Sequence, residues 1–235
     1  IPFLQQKFKM PFIAQRTLLT AGVVESYLAA PIHACESGLP PTIRLAYLPG
    51  YAMVRLRLTG LSDDAALIQR ETDVQFSTLK ELVKEWMVTD EDISLQEALG
   101  KLLKSKNKTL ATAESCTGGY VAHLLTSIPG SSGYFRGGLI PYHNNVKEKV
   151  LQVKGDTLSS VGAVSEETVR EMITGALNLF DSDYALATSG IMGPDGGTES
   201  KPVGTVWIAA GNRHITETRK LHFRFDRQRN IELTA

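Results

Sequence analysis

Apolar residues at Leu79, Leu82, Val83 and Trp86 stand at i, i+3, i+4 and i+7, a spacing that lines them along one face of a helix. That helix is expected to begin near Ser62. Ahead of it the pattern predicts a strand over 11–17, a short helix over 20–30, and two strands, "TIRLAYLP" and "YAMVRLRLTG", joined at a Pro49-Gly50 turn. These elements make a small α+β domain over residues 1–88. The acidic stretch "VTDEDIS" then reads as a linker. It runs into Ser94-x-x-Glu97, a capping box in which hydroxyl and carboxylate satisfy free N–H groups at a helix start, so a second domain is expected over 89–235.

In that second domain the periodicity switches repeatedly. It predicts helix (94–105), strand (109–113), helix (116–127), strand (134–141), helix (144–152), helix (165–180) and strand (183–188), then two strands at 203–210 and 213–224. Alternation of this kind argues for an α/β class: a layered α/β/α domain with helices on both faces of its sheet. The last two strands meet at Gly211-Asn212, which suits a hairpin, so the sheet is expected to be mixed.

Composition narrows the function classes. Lys plus Arg and Asp plus Glu number 25 each, leaving no net field to draw the chain to DNA, RNA or an anionic membrane, so nucleic acid is not expected as a partner. The two cysteines, Cys35 and Cys116, are far apart and lack metal-ligand spacing. This argues for the reducing cytoplasm and against a disulfide or zinc framework; no metal or other cofactor is expected. No apolar run approaches the ~20 residues needed to span a bilayer, and the opening "IPFLQQKFKMPF" lacks the order of a signal peptide.

Three segments carry candidate chemistry. "TLATA" reads as a buried strand, and Val121, Leu124, Leu125 and Ile128 repeat at helical spacing, so "ESCTGG" is the turn between strand and helix. Ser115 falls at the expected N-cap, with Thr117, Gly118 and Gly119 leaving N–H groups for an anion or an oxyanion. Ser115 is either a nucleophile or only a cap. A second segment, "TSGIMGPDGGTESKPVG", holds Gly190, Gly193, Gly196 and Gly197; it either presents N–H groups to a phosphate or is a mobile surface loop. It is neither a P-loop nor a dinucleotide fingerprint. In the third, "GGLIPYHNNVKEKV", Tyr142 and Lys147 lie where a strand gives way to a helix, and at a shared sheet edge hydroxyl, phenol and amine would converge. A desolvated neutral Lys can take the proton of a Ser, with Tyr as relay; alternatively Lys147 is a solvated helix charge and Tyr142 a rim aromatic. His143 reads as a surface residue. Cys116 competes as nucleophile, or packs as a small hydrophobe. Glu114 would orient Lys147, hold a ribose, or sit as a helix-start anion.

In this order, Ala113-Glu114-Ser115-Cys116-Thr117-Gly118-Gly119, then Gly138 through Tyr142 with Asn144 and Lys147, then Gly190-Ile191-Met192-Gly193-Pro194 with Gly196-Gly197-Thr198 and Lys201 to Val206 resemble the C-terminal domain of the CinA family, the nicotinamide-nucleotide amidohydrolases. "IPFLQQKF", "RTLLTAGVVES" and "IRLAYLPGYAMVRLRLTG" resemble the KH-like middle domain of longer members, though no GxxG loop between basic residues stands in 1–88. Those members carry a molybdopterin-biosynthesis-like domain further upstream whose residues are not in this sequence. The resemblance implies hydrolysis of the carboxamide of nicotinamide mononucleotide to nicotinic acid mononucleotide and ammonia, in pyridine nucleotide recycling, and a homodimer. It implies Ser115 as nucleophile, Lys147 as base and Tyr142 as positioning or relay group. Thr117, Gly118 and Gly119 would supply N–H groups, while Glu114, Ser189 and the loop bearing Gly190, Gly193, Gly196 and Gly197 would line the substrate. An arginine near the end, Arg227 or its neighbour Arg229, would meet the phosphate, and the helix after it is expected to be short. A non-catalytic nucleotide-binding or interaction module of a competence/damage-inducible protein is the alternative.

Overall fold

The computed structural model describes residues 10–50 and 52–235. They divide into two compact units, the first ending at Ala98 and the second running from Leu99 to Ala235.

The first unit runs β1 (Phe12–Ala21), α1 (Glu25–Ser37), β2 (Ile43–Gly50), β3 (Met53–Ser62), α2 (Ala65–Val83) and β4 (Met87–Thr89). Its strands pair antiparallel in the order β2-β3-β1-β4. That connectivity is the β-α-β-β-α-β of the split βαβ motif; the KH-like likeness rests on the sequence resemblance alone, and its first stretch, Ile1–Phe8, lies outside the described residues. Three boundaries differ from expectation. Leu18, Leu19 and Thr20 are all buried, and β1 continues through them to Ala21, past residue 20 where a helix was expected to start. The hairpin strands run on through Pro49 and Gly50, which pair with Val54 and Met53. Residues 87–89, expected at the end of the first domain and the start of the linker, pair with β1 as an edge strand.

α3 (Leu95–Ser105) is opened by Ser94, whose hydroxyl accepts the Glu97 N–H at 3.1 Å, as half of the expected capping box. The second unit continues with β5 (Leu110–Glu114), α4 (Tyr120–Thr126), β6 (Phe135–Leu139), α5 (Asn144–Leu151), α6 (Gly155–Ser160), α7 (Glu166–Phe180), β7 (Tyr184–Gly190), β8 (Thr205–Gly211), β9 (Thr216–His222) and α8 (Arg227–Thr234). Its sheet has the order β6-β5-β7-β8-β9, with β6, β5 and β7 parallel and β8 and β9 antiparallel, so the sheet is mixed. α6 was not foreseen: five polar or small residues around the single Leu158 carry no apolar period.

α7 holds one face of this sheet. Ser165 caps it, Glu166 and Glu167 favour its N-terminal dipole, and Val169, Met172, Ile173, Ala176 and Leu177 form a buried stripe. Burial of each larger side chain contributes about 1.5–3 kcal/mol. Gly175 is required on this helix, because a Cβ there would run into the Leu151 carbonyl. Leu99, Leu103, Val121 and Leu125 cover the other face with Leu110, Phe135 and Leu186. β5 is buried along its length: Ala113 joins the α7 core, Leu110 the opposite one, and the Glu114 carboxylate meets the start of α4. This placement delivers Ser115 at the carboxyl end of a rigid central strand.

Among the described residues the buried Thr112 hydroxyl has no hydrogen-bond partner. It faces Gly138, whose missing side chain leaves it room. Thr112→Val is therefore expected to stabilise the fold by about 1 kcal/mol, seen as a higher denaturation midpoint with an unchanged slope. No helix among the described residues is long and apolar enough to cross a membrane, and they contain no cluster of three His, Cys, Asp or Glu able to hold a metal.

Candidate active site

The site is built on the turn after β5. The Ser115 N–H donates to the Thr188 carbonyl at 2.9 Å, extending the β5–β7 ladder by one residue. The chain then turns through Cys116 to Gly119, and α4 starts only at Tyr120, with Gly119 as N-cap at φ 96. Ser115 is thus not the cap. The cause is Glu114, whose buried carboxylate accepts the N–H groups of Gly119 (3.1 Å), Val121 (2.9 Å) and Ala122 (2.8 Å) and the Thr117 hydroxyl (2.8 Å). Glu114 is the helix-start anion, and both of its oxygens are occupied by the turn. The turn winds around it and leaves Ser115 free of capping duty.

α5 supplies the second group. Lys147 is 1% exposed, and its amine donates to Ser115 Oγ at 3.1 Å, to the Pro141 carbonyl at 2.8 Å and to the Tyr142 carbonyl at 3.4 Å. Burial pushes its pKa below the ordinary lysine value, opposed in small part by the Cys116 sulfur. His143, expected as a plain surface residue, caps this helix: its Nδ1 accepts the Asn145 N–H at 3.2 Å. The helix starts at Asn144, where the sequence pattern places it; the pattern does not show that the preceding imidazole turns back to its first N–H groups.

The phenol of Tyr142 goes elsewhere. Tyr142 is exposed, and its Oη accepts from the Arg227 guanidinium at 2.8 Å rather than bonding Ser115 or Lys147. The same guanidinium donates to the Gly193 carbonyl at 2.9 Å, so Arg227 joins Tyr142 to the glycine loop. Arg229 instead pairs with Glu232 at 3.6 Å. Asn230, fully buried and not anticipated, donates to the Met192 and Phe225 carbonyls at 3.1 and 3.0 Å and ties α8 to the same loop.

Several expected ligand groups are committed internally. Thr117 is buried, and since its hydroxyl proton goes to Glu114, Thr188 donates to it across 2.8 Å. The Gly118 N–H is spent on the Ser115 carbonyl at 3.3 Å and that of Gly119 on Glu114. Only the Thr117 N–H of the three is without an acceptor among the described residues. Ser189 is 1% exposed and donates to the Ala163 carbonyl at 2.7 Å, which anchors the 161–165 loop. Gly190 closes β7 against Met192 and Val206, while Gly196 and Gly197 lie exposed at the loop's outer turn. Cys116 is buried beside Met192 and Val206, and burial raises its thiol to about 12, which keeps it protonated and unreactive.

This geometry can do one kind of chemistry well. A hydroxyl at the end of a strand, with a buried amine in contact and no carboxylate in the pair, is suited to nucleophilic attack on a carbonyl.

The chain resembles known proteins throughout. The CinA C-terminal domain model matches residues 92–235. A CinA-like protein of Cytophaga hutchinsonii is 44% identical over 232 residues, which is 99% of this chain and 56% of that protein. One from Amoebophilus asiaticus is 40% identical over 235 residues, 100% of this chain and again 56% of that protein. This chain thus spans little more than half the length of these relatives. Among solved structures, the competence damage-inducible protein A of Klebsiella pneumoniae matches with a TM-score of 0.56 and 38% identity over 58% of this chain and 84% of its own. A CinA superfamily protein from Escherichia coli matches with a TM-score of 0.58 and 34% identity over 59% and 81%. With its strand-to-helix turn, its buried Ser–Lys contact and these relatives in agreement, the chain belongs to the CinA family.

Proposed function

We propose that the second unit hydrolyses the carboxamide of nicotinamide mononucleotide to nicotinic acid mononucleotide and ammonia, with Ser115 as nucleophile and Lys147 as its base. The observation that carries the reading is the 3.1 Å contact between a buried amine and a buried hydroxyl. A neutral amine has two N–H groups and one lone pair. The Pro141 and Tyr142 carbonyls accept the two N–H groups, which turns the lone pair to the Ser115 proton.

The steps follow from that arrangement. Lys147 takes the Ser115 proton as Oγ bonds to the carboxamide carbon, and the resulting oxyanion meets the unpaired Thr117 N–H. Lys147, now an ammonium with its third N–H directed at the reacting atoms, returns the proton to the departing nitrogen, which leaves as ammonia. Water, deprotonated by Lys147, then cleaves the acyl ester and restores Ser115. The substrate is taken from the family resemblance, and Arg227, with N–H groups to spare beside Tyr142, is the cation assigned to its phosphate. Tyr142 acts in this reading as the rim residue that holds Arg227.

The test is ammonia release from nicotinamide mononucleotide. Ser115→Ala is expected to lose it by about 10⁴-fold or more, whereas Cys116→Ala, which removes only a protonated packing group, keeps most of it. Equal turnover by wild type and Ser115→Ala would end the nucleophile assignment, and no turnover by wild type would return the chain to the non-catalytic reading.

A further inference from the structure

At the other end of β5 from Ser115, where β5 and β7 begin, lies a cavity of about 360 Å³ bordered by Lys108, Arg136, Asp183, Tyr184 and the β8–β9 turn. Five strand residues, about 16 Å, separate it from the serine. Most of its acceptors are already used, the exception being the second oxygen of the exposed Asp181 carboxylate. Asp183 takes the Lys108 ammonium at 2.8 Å and the Thr109 N–H and hydroxyl at 2.9 Å each. Asp181 takes Arg213 at 3.1 Å, and the Asn212 side-chain oxygen takes the N–H groups of His214 and Ile215 at 2.8 and 2.9 Å.

Its donors are not used up. Arg136, exposed on β6, has no hydrogen-bond or ion-pair partner among the described residues, and neither has the His214 imidazole. The Asn212 amide and the remaining N–H groups of Lys108 add to them. Lys108, Arg136 and Arg213 against Asp181 and Asp183 leave one positive charge in excess. A concave surface with idle donors and a positive charge in excess is complementary to a compact ligand that only accepts, provided it is seated on the Arg136 side, away from Asp181. Half-exposed Tyr184 gives the wall an apolar side for whatever such an anion is esterified to.

We propose that this cavity is a second ligand site that binds a phosphate-type dianion, and that Arg136 is its principal contact. The proposal is independent of the chemistry assigned to Ser115.

Inorganic phosphate titrated into the full chain tests it, followed by the backbone amide resonances of Lys108, Asn212 and His214. These are expected to shift and saturate at roughly millimolar phosphate and to weaken with added sodium chloride. Arg136→Ala, at an exposed position, is expected to raise the saturating concentration about tenfold while leaving any shifts of the 190–197 loop unchanged. A parallel titration with AMP separates the sources: tighter binding at the same amides assigns a phosphate monoester, equal binding assigns free phosphate. Resonances that do not move, or that move alike in wild type and Arg136→Ala, overturn the proposal.

Discussion

Lys147→Met is expected to cut ammonia release from nicotinamide mononucleotide on the order of 10³-fold or more, while the folded chain persists. Methionine keeps an unbranched side chain of similar length in a position that is 1% exposed, so packing survives, but no atom remains to take the Ser115 proton. The wild-type rate should rise with pH along a single acid limb whose midpoint lies below the ordinary lysine value of 10.5, since burial lowers the amine's pKa and only the neutral form accepts a proton. Stability carries the same signature. With its folded pKa below its unfolded one, Lys147 binds fewer protons folded than unfolded between the two values. Wild-type stability therefore rises with pH across that window, relative to Lys147→Met, and the gain is complete near 10.5. Denaturation midpoints of the two proteins at neutral pH and above pH 10 measure it. A difference between them that does not move with pH would mean that the amine is not held in a desolvating site.

What could be read in the sequence was whatever has a period or a turn signal. The stripe of α7 and the buried β5 follow from the spacing of apolar residues, and the hairpin of β8 and β9, with the mixed sheet it implies, from the Gly211-Asn212 turn. The start of α4 did not follow. Val121 to Ile128 set the helical phase, and Ser is so common an N-cap that the helix was carried back to residue 116. What displaced it is a carboxylate on the preceding strand reaching eight residues ahead, to Ala122, a contact that no local propensity encodes. The same holds for Ser189 and the Tyr142 phenol. Their residue types suit a ligand, yet the fold brings up a nearer partner, the Ala163 carbonyl for one and Arg227 for the other. Ser115 and Lys147 were candidates by residue type and were given their roles by resemblance, and it is parallel pairing of β5 with β6 that brings the segments following them together. β4, three residues long at a sheet edge beside an acidic run, was too short to show an alternation.

Glu114→Gln is expected to destabilise the fold by about 3 kcal/mol and to lower turnover with it. The carboxylate receives four hydrogen bonds, three from main-chain N–H groups at the head of α4 and one from Thr117. An amide of the same shape offers one oxygen, so its NH₂ group is set against donors that have lost their acceptor, in a site with 1% exposure and little water to substitute. The negative charge at the helix start is lost as well. Because Gly118 and Gly119 carry positive φ and stand three and four residues after Ser115 in the same turn, a turn released from its carboxylate has many conformations open to it, few of which keep Oγ within reach of Lys147. The expected kinetic result is a fall in kcat with KM little changed, accompanied by a lower denaturation midpoint. A substrate-lining Glu114, the role first suggested by its position in the motif, would do the opposite, raising KM while leaving the midpoint where it was. Measuring both quantities on one variant therefore decides whether this carboxylate works on the ligand or on the backbone that presents Ser115.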